Sequence, residues 1–212
     1  MRAAWLAGAL IGTLSLLGGC SDPAETSKYE AVWLAELADT IKVADAAGAT
    51  DEQRATLARH LESGEPITFE EYSAAVQSTI ECARDAGVWI RGPEQTQQNG
   101  LFMLSYDYGG PDDADADRLE SLVNACRTLH SGFVEDAYMD GPPALEWIDA
   151  QFEAFRPQLI ACLKRYGAEI AEDAPRDEIE QHIALLIDSE PNYEGPNCTV
   201  ESGLSDAIGK LA

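Results

Sequence analysis

Over most of the chain, apolar side chains recur at the three-to-four-residue interval of an amphipathic helix. Leu34, Leu37, Ala38, Ile41 and Ala44 mark a first helix over Glu25–Ala47, halted near Gly48. Thr50-Asp51-Glu52 reads as a cap with acidic first-turn residues, opening a short helix to His60 or Leu61. Gly64 and Pro66 break it. Thr68 and Glu71 then form a capping-box pattern ahead of the stripe Phe69, Tyr72, Val76, Ile80 and Ala83, which Gly87 ends.

The period then changes. Val88-Trp89-Ile90 reads as a short strand, followed by a polar ten-residue loop ending in Asn99-Gly100. In the next segment Phe102, Leu104, Tyr106 and Tyr108 alternate with Met103, Ser105 and Asp107, which is strand grammar. Two strands alone are marginal, so the hairpin has to lie on helices. One long helix is expected from Asp113 to Tyr138, with Leu119, Leu122, Cys126, Leu129, Phe133 and Ala137 along one face. After Gly141-Pro142-Pro143 comes a helix carrying Leu145, Ile148, Phe152, Phe155, Leu159, Cys162 and Tyr166, with a kink or restart expected at Pro157. Pro175–Ser189 gives another helix, with Ile179, Ile183 and Leu186 inward, and Pro191–Ala212 is loop-rich with a short helix over 204–211. The fold class expected is mainly α (α+β): a helical protein with a small antiparallel β-hairpin. Residues 28–140 would form one module and 141–212 a second.

A weak internal repeat runs across these halves. Ile80, Cys82, Arg84, Gly87 and Ile90 match Ile160, Cys162, Lys164, Gly167 and Ile170 in the form I-x-C-x-[RK]-x-x-G-x-x-I. Each copy would be a helix with a cysteine near its end, a glycine stop and a short strand. Duplication and the shared grammar of helix ends both account for so short a match.

The N-terminus follows another pattern. Arg2 precedes an uncharged, Leu- and Ala-rich run over residues 3–19. That is the layout of a secretory signal. The run is at the lower limit for spanning a bilayer, so an uncleaved anchor helix is the alternative. The ending Leu17-Gly18-Gly19-Cys20 resembles the bacterial lipobox, which implies cleavage after residue 19 and lipidation of the Cys20 thiol. Two or three acyl chains would hold durably where one holds weakly. Residues 20–27 then form a polar tether. Ten arginines against four lysines, with abundant alanine, hint at a GC-rich bacterial genome.

Composition bears on compartment and partners. With Cys20 set aside, Cys82, Cys126, Cys162 and Cys198 form an even set, expected as two disulfides in an exported protein. Three pairings are open. Similar intervals and separate halves favour Cys82–Cys126 with Cys162–Cys198. None of the four has a second ligand at zinc-finger spacing. The formal charge of −24, from 38 acidic and 14 basic side chains in 212 residues, repels phosphate backbones and argues against nucleic-acid binding. It favours a cationic envelope partner or divalent ions at short range.

Glu81-Cys82-Ala83-Arg84-Asp85-Ala86-Gly87, Leu104-Ser105-Tyr106 and Asn124-Ala125-Cys126 resemble secreted actinobacterial lipoproteins of unknown function. The resemblance covers roughly residues 65–140 and, more weakly, 155–200. It implies a stapled extracytoplasmic module and brings no catalytic residues.

Candidate chemistry is sparse. Asp112, Asp113, Asp115 and Asp117 suggest a calcium loop, but Arg118 stands where the turn glycine belongs and Asn124 where a bidentate glutamate belongs. Acidic residues at a helix start explain the cluster equally. His60, His130 and His182 are isolated, and no G-x-S-x-G elbow is present. Trp33, Trp89 and Trp147 are read as core or as the lining of a groove. No cofactor is expected. The reading is a non-enzymatic, lipid-anchored protein on the extracytoplasmic face of the cell membrane, acting by binding. The alternative is a small cell-envelope hydrolase using a carboxylate pair.

Overall fold

The computed structural model describes residues 28–111, 115–186 and 197–208; the leader, Cys20, the tether, Asp112 and Asp113 lie outside the described residues. Helix α1 (Lys28–Ala46) and helix α2 (Asp51–Ser63) are joined through Gly48, in the left-handed region at φ 77°. The Thr50 hydroxyl caps α2 by accepting the Gln53 N–H, and Gly64 at φ 73° ends it. Helix α3 (Phe69–Asp85) opens with the expected capping box, both halves of the Thr68–Glu71 exchange being formed.

Strands β1 (Trp89–Gln98) and β2 (Leu101–Gly109) make one antiparallel hairpin. The polar segment expected to be a loop is strand. Glu94, Gln95, Thr96, Gln97 and Gln98 pair with β2 through their backbones while their side chains face solvent. Pairing of the main chain needs no apolar side chain. Only Asn99-Gly100 turns, with φ 50° and 75°, the double positive φ of a type I′ hairpin turn. A cis Gly92–Pro93 peptide occupies the register shift between Arg91 and Glu94.

The long helix expected from Asp113 to Tyr138 is two helices, α4 (Ala116–His130) and α5 (Gly132–Met139). The break is at Ser131, where φ −133° and ψ −29° leave the helical region. Its fully buried hydroxyl meets the Thr79 hydroxyl at 2.7 Å and donates to Glu135. The break is thus held by a contact with α3, far away in sequence.

Helix α6 (Pro142–Arg165) runs through Pro157 without a restart, and it starts with proline at N1, where the missing N–H costs nothing. Helix α7 (Arg176–Leu186) and the single turns α8 (Cys198–Glu201) and α9 (Leu204–Ala207) complete the described residues. No helix among them is long and apolar enough to cross a membrane.

Both disulfides form in the favoured pairing, Cys82–Cys126 and Cys162–Cys198, closing intervals of 44 and 36 residues. Each sits in its own buried cluster. Ala83, Val88, Val123 and Cys126 surround the first, next to the larger cluster of Trp33, Leu37, Leu57, Tyr72, Ile80 and Val134. Phe152, Leu159, Leu163, Ile179, Cys162 and Cys198 gather at the second.

The two copies of the repeat close their helices alike. Gly87 N–H donates to the Arg84 carbonyl and Val88 N–H to Ala83, both at 2.9 Å. Gly167 donates to Lys164 at 3.1 Å and Ala168 to Leu163 at 3.0 Å. Both glycines have φ 88°, the left-handed stop of a Schellman motif. The strand expected after each stop forms only in the first copy. Residues 168–170 form no strand, and Ile170 is buried in the second cluster instead.

Candidate functional site

The clearest concave feature is a groove of about 320 Å³ walled by α6, α7 and the α8–α9 turn. It lies at the lower end of the size range of small-molecule sites. Ile148 and Phe152 come from α6, Ile183 and Ala184 from α7, and Leu204 and Ile208 from the chain end. Its wall is almost wholly apolar. The sequence reads Ile148, Phe152 and Ile183 as core stripe; Phe152 and Ile183 are buried and Ile148 is half-buried among the described residues.

A second depression of about 320 Å³ shares Ile148, Arg176 and Glu180 with the groove and adds Tyr29, Leu145 and Asp149. Arg176 is the divider. Its guanidinium carbon lies 4.5 Å from the Phe152 ring centroid, a cation–π contact. It is ion-paired with Asp149 and with Glu180, the latter at 2.6 Å. Apolar chamber and charged vestibule therefore meet at Ile148, Arg176 and Glu180.

A polar cleft of about 270 Å³ between α2 and α3 is lined by Gln53, Arg59, Glu71, Ser78 and His130. Gln53 and Glu71 are committed to the fold. Gln53 donates to the Thr128 and Leu129 carbonyls and accepts from the Phe133 and Val134 amides. Glu71 Oε2 accepts from the Thr68 N–H at 2.9 Å, the Thr68 hydroxyl at 2.8 Å and faces His60 Nε2 at 3.0 Å. Burial alone would raise the Glu71 carboxyl, but Thr68 and then His60 outweigh it and bring it down to about 2. A carboxylate held so low is a poor base near neutral pH.

The carboxyls that are pushed up lie elsewhere. Burial raises Asp136 against the opposing pull of Arg127. Burial, and then Asp136 and Glu36, raise Asp140. The cleft they share with Trp33 is about 30 Å³, room for one or two waters.

The remaining candidates separate. Asp115 caps α4 by accepting the Asp117 and Arg118 amides, and Asp117 sits in the first turn. This is the helix-start role. His60 is buried between the Glu65 carbonyl and Glu71, while His130 and His182 are half-buried and lie apart. Trp33 is core, its Nε1–H donating to the Ala137 carbonyl at 3.0 Å, whereas Trp89 is 62% exposed. Among the described residues no three His, Cys, Asp or Glu side chains converge to hold a metal ion. Comparison with protein-family models, with curated proteins and with solved structures finds no match.

Proposed function

We propose that the protein is exported and lipid-anchored through Cys20 on the outer face of the cell membrane, where it acts by binding and not by catalysis. One observation carries the reading. All four cysteines among the described residues are consumed in two disulfides, so Cys20 is the one thiol of the five left for acylation. Disulfides persist in oxidising compartments outside the cytoplasm. The leader of residues 3–19 and the Leu17-Gly18-Gly19-Cys20 ending supply the route there.

The binding role draws on the apolar groove and on charge. At −24 the chain favours cationic partners or divalent ions, within a screening length of about 8 Å at physiological salt. The rival hydrolase would need two carboxylates in a substrate-sized cleft. The raised pair Asp136 and Asp140 faces room for no more than a water or two.

The test is expression in a bacterium that processes lipoproteins, followed by mass spectrometry of the mature N-terminus. Diacyl or triacyl mass on Cys20, with release from the membrane fraction in Cys20→Ser, is the expected result. An unmodified Cys20, or a leader still attached, sinks the proposal.

A further inference from the structure

The two edges of the hairpin differ in what they leave open. Across the Asn99-Gly100 turn the flanking pair, Gln98 and Leu101, exchanges both backbone bonds, and so does every second pair beyond it. Thr96 and Gln98 therefore spend their backbone groups on β2, while those of Gln95 and Gln97 point outward from the ribbon. On β2 the matching outward groups are taken, the Leu104 amide by the Tyr72 hydroxyl and the Phe102 carbonyl by the Tyr138 hydroxyl. On β1 nothing among the described residues takes them, and residues 94–98 are all exposed. Edges are ordinarily blunted by charge, proline or a bulge. Here Pro93 and the register shift guard only the base of β1. Residues 95–106 carry no charged side chain, the longest such run beyond the leader in a chain at −24.

We propose that this edge is the contact between two copies of the chain, β1 pairing antiparallel with β1 of the second copy about a two-fold axis at Thr96. Gln95 then exchanges both backbone bonds with Gln97 of the second copy, and Gln97 with its Gln95, so that two hairpins become one four-stranded sheet. Thr96 faces its own counterpart in a close cross-strand pair, a favourable combination. Glu94 falls opposite Gln98, and the two Glu94 side chains are separated by the length of residues 94–98, about 14 Å. That exceeds the screening length of about 8 Å at physiological salt, so the uncharged edge is where two strongly anionic chains can meet. A foreign peptide would be selected by pockets beside the edge. The exposure of residues 94–98 leaves no such walls, whereas an identical strand brings its own matching register. The contact is small, so the association is weak. The proposal stands on the hairpin alone and is independent of the lipid anchor, which the mass at Cys20 tests.

The test is sedimentation equilibrium of the full chain up to about 1 mM, in a nonionic detergent that disperses an apolar leader or lipid. The average mass rises toward that of two chains, and exchange of the Gln95 and Gln97 amides slows as concentration rises. Thr96→Lys and Thr96→Glu each set like charges directly across the axis and weaken association by about tenfold or more. An equimolar mixture of the two variants restores it, with thermal melting showing that both fold. A mass that stays at one chain overturns the proposal, the result if residues outside the described ones cover the edge or if it takes a different protein. Amide exchange at Gln95 and Gln97 that ignores concentration overturns it as well. So does association that survives both substitutions, or a mixture no tighter than either variant alone, since the contact then lies elsewhere on the surface.

Discussion

The Tyr72 hydroxyl oxygen lies 3.0 Å from the Leu104 amide nitrogen, placing a helix side chain where a third strand would otherwise pair with β2. Tyr138 repeats the device one step along. Its ring stacks on Tyr72 at 4.6 Å between centroids, and its hydroxyl donates to the Phe102 carbonyl at 3.0 Å. Two tyrosines thus satisfy edge groups of a two-stranded ribbon that would be marginal alone.

Removing the Tyr72 hydroxyl leaves the Leu104 N–H without its partner. Tyr72→Phe is expected to destabilise the protein by about 1–3 kcal/mol, the cost of an unsatisfied amide. Tyr138→Phe acts on a carbonyl at the more exposed Phe102 and should cost less. Urea denaturation of the two single variants and the double variant checks the order and their coupling.

Glu71 makes stability depend on acid. Its folded value of about 2 is below its ordinary 4.5, so the stabilisation is fully present above the ordinary value and is lost as pH falls toward 2. Solvent reaches the carboxylate, whose side chain is 26% exposed, so the contribution is discounted to about 1–2 kcal/mol. Glu71→Gln should lower the melting temperature at pH 7 and narrow its gap to the parent at pH 3. An unchanged gap would show that Glu71 is not the group responsible.

Gly100 and Gly48 share a left-handed backbone but not their surroundings. A Cβ on Gly100 would lie 2.6 Å from the Trp147 ring, whereas one on Gly48 meets nothing within 4 Å. Gly48→Ala should therefore cost only the conformational penalty, about 1 kcal/mol, and Gly100→Ala clearly more. If the two melt alike, the hairpin tip does not rest on α6 as described.

The disulfides should behave as two independent staples. In the loop-entropy model each contributes about 3–4 kcal/mol for intervals of 44 and 36 residues. Non-reducing peptide mapping is expected to recover Cys82–Cys126 and Cys162–Cys198 as separate linked pairs. A Cys82–Cys162 peptide would contradict the pairing.

Much of this fold is legible because local chemistry and tertiary structure agree. Thr50, Thr68 with Glu71, Gly64, Gly87 and Gly167 punctuate helices through bonds to near neighbours, so their signals are complete within a few residues. The errors come where the deciding partner is distant. The break at Ser131 depends on Thr79, and the polar half of β1 is strand because β2 pairs with its backbone. The groove is hidden for a related reason. Ile148, Phe152 and Ile183 have the spacing of buried positions, and the last two are buried, but the hollow beside them depends on where the distant Leu204 and Ile208 lie.

Gln53 has a consequence for how the chain must assemble. Its amide accepts from Phe133 and Val134, partners 80 and 81 positions further on. A polypeptide emerging from its N-terminus has α1 and α2 in hand long before that stretch exists. The part of their apolar faces that α5 covers must wait for α5 to arrive, and closure of such a distant contact is slow. The later segment around Cys162 and Cys198 has no such debt to earlier sequence in its cluster, so synthesis order and order of completion need not coincide.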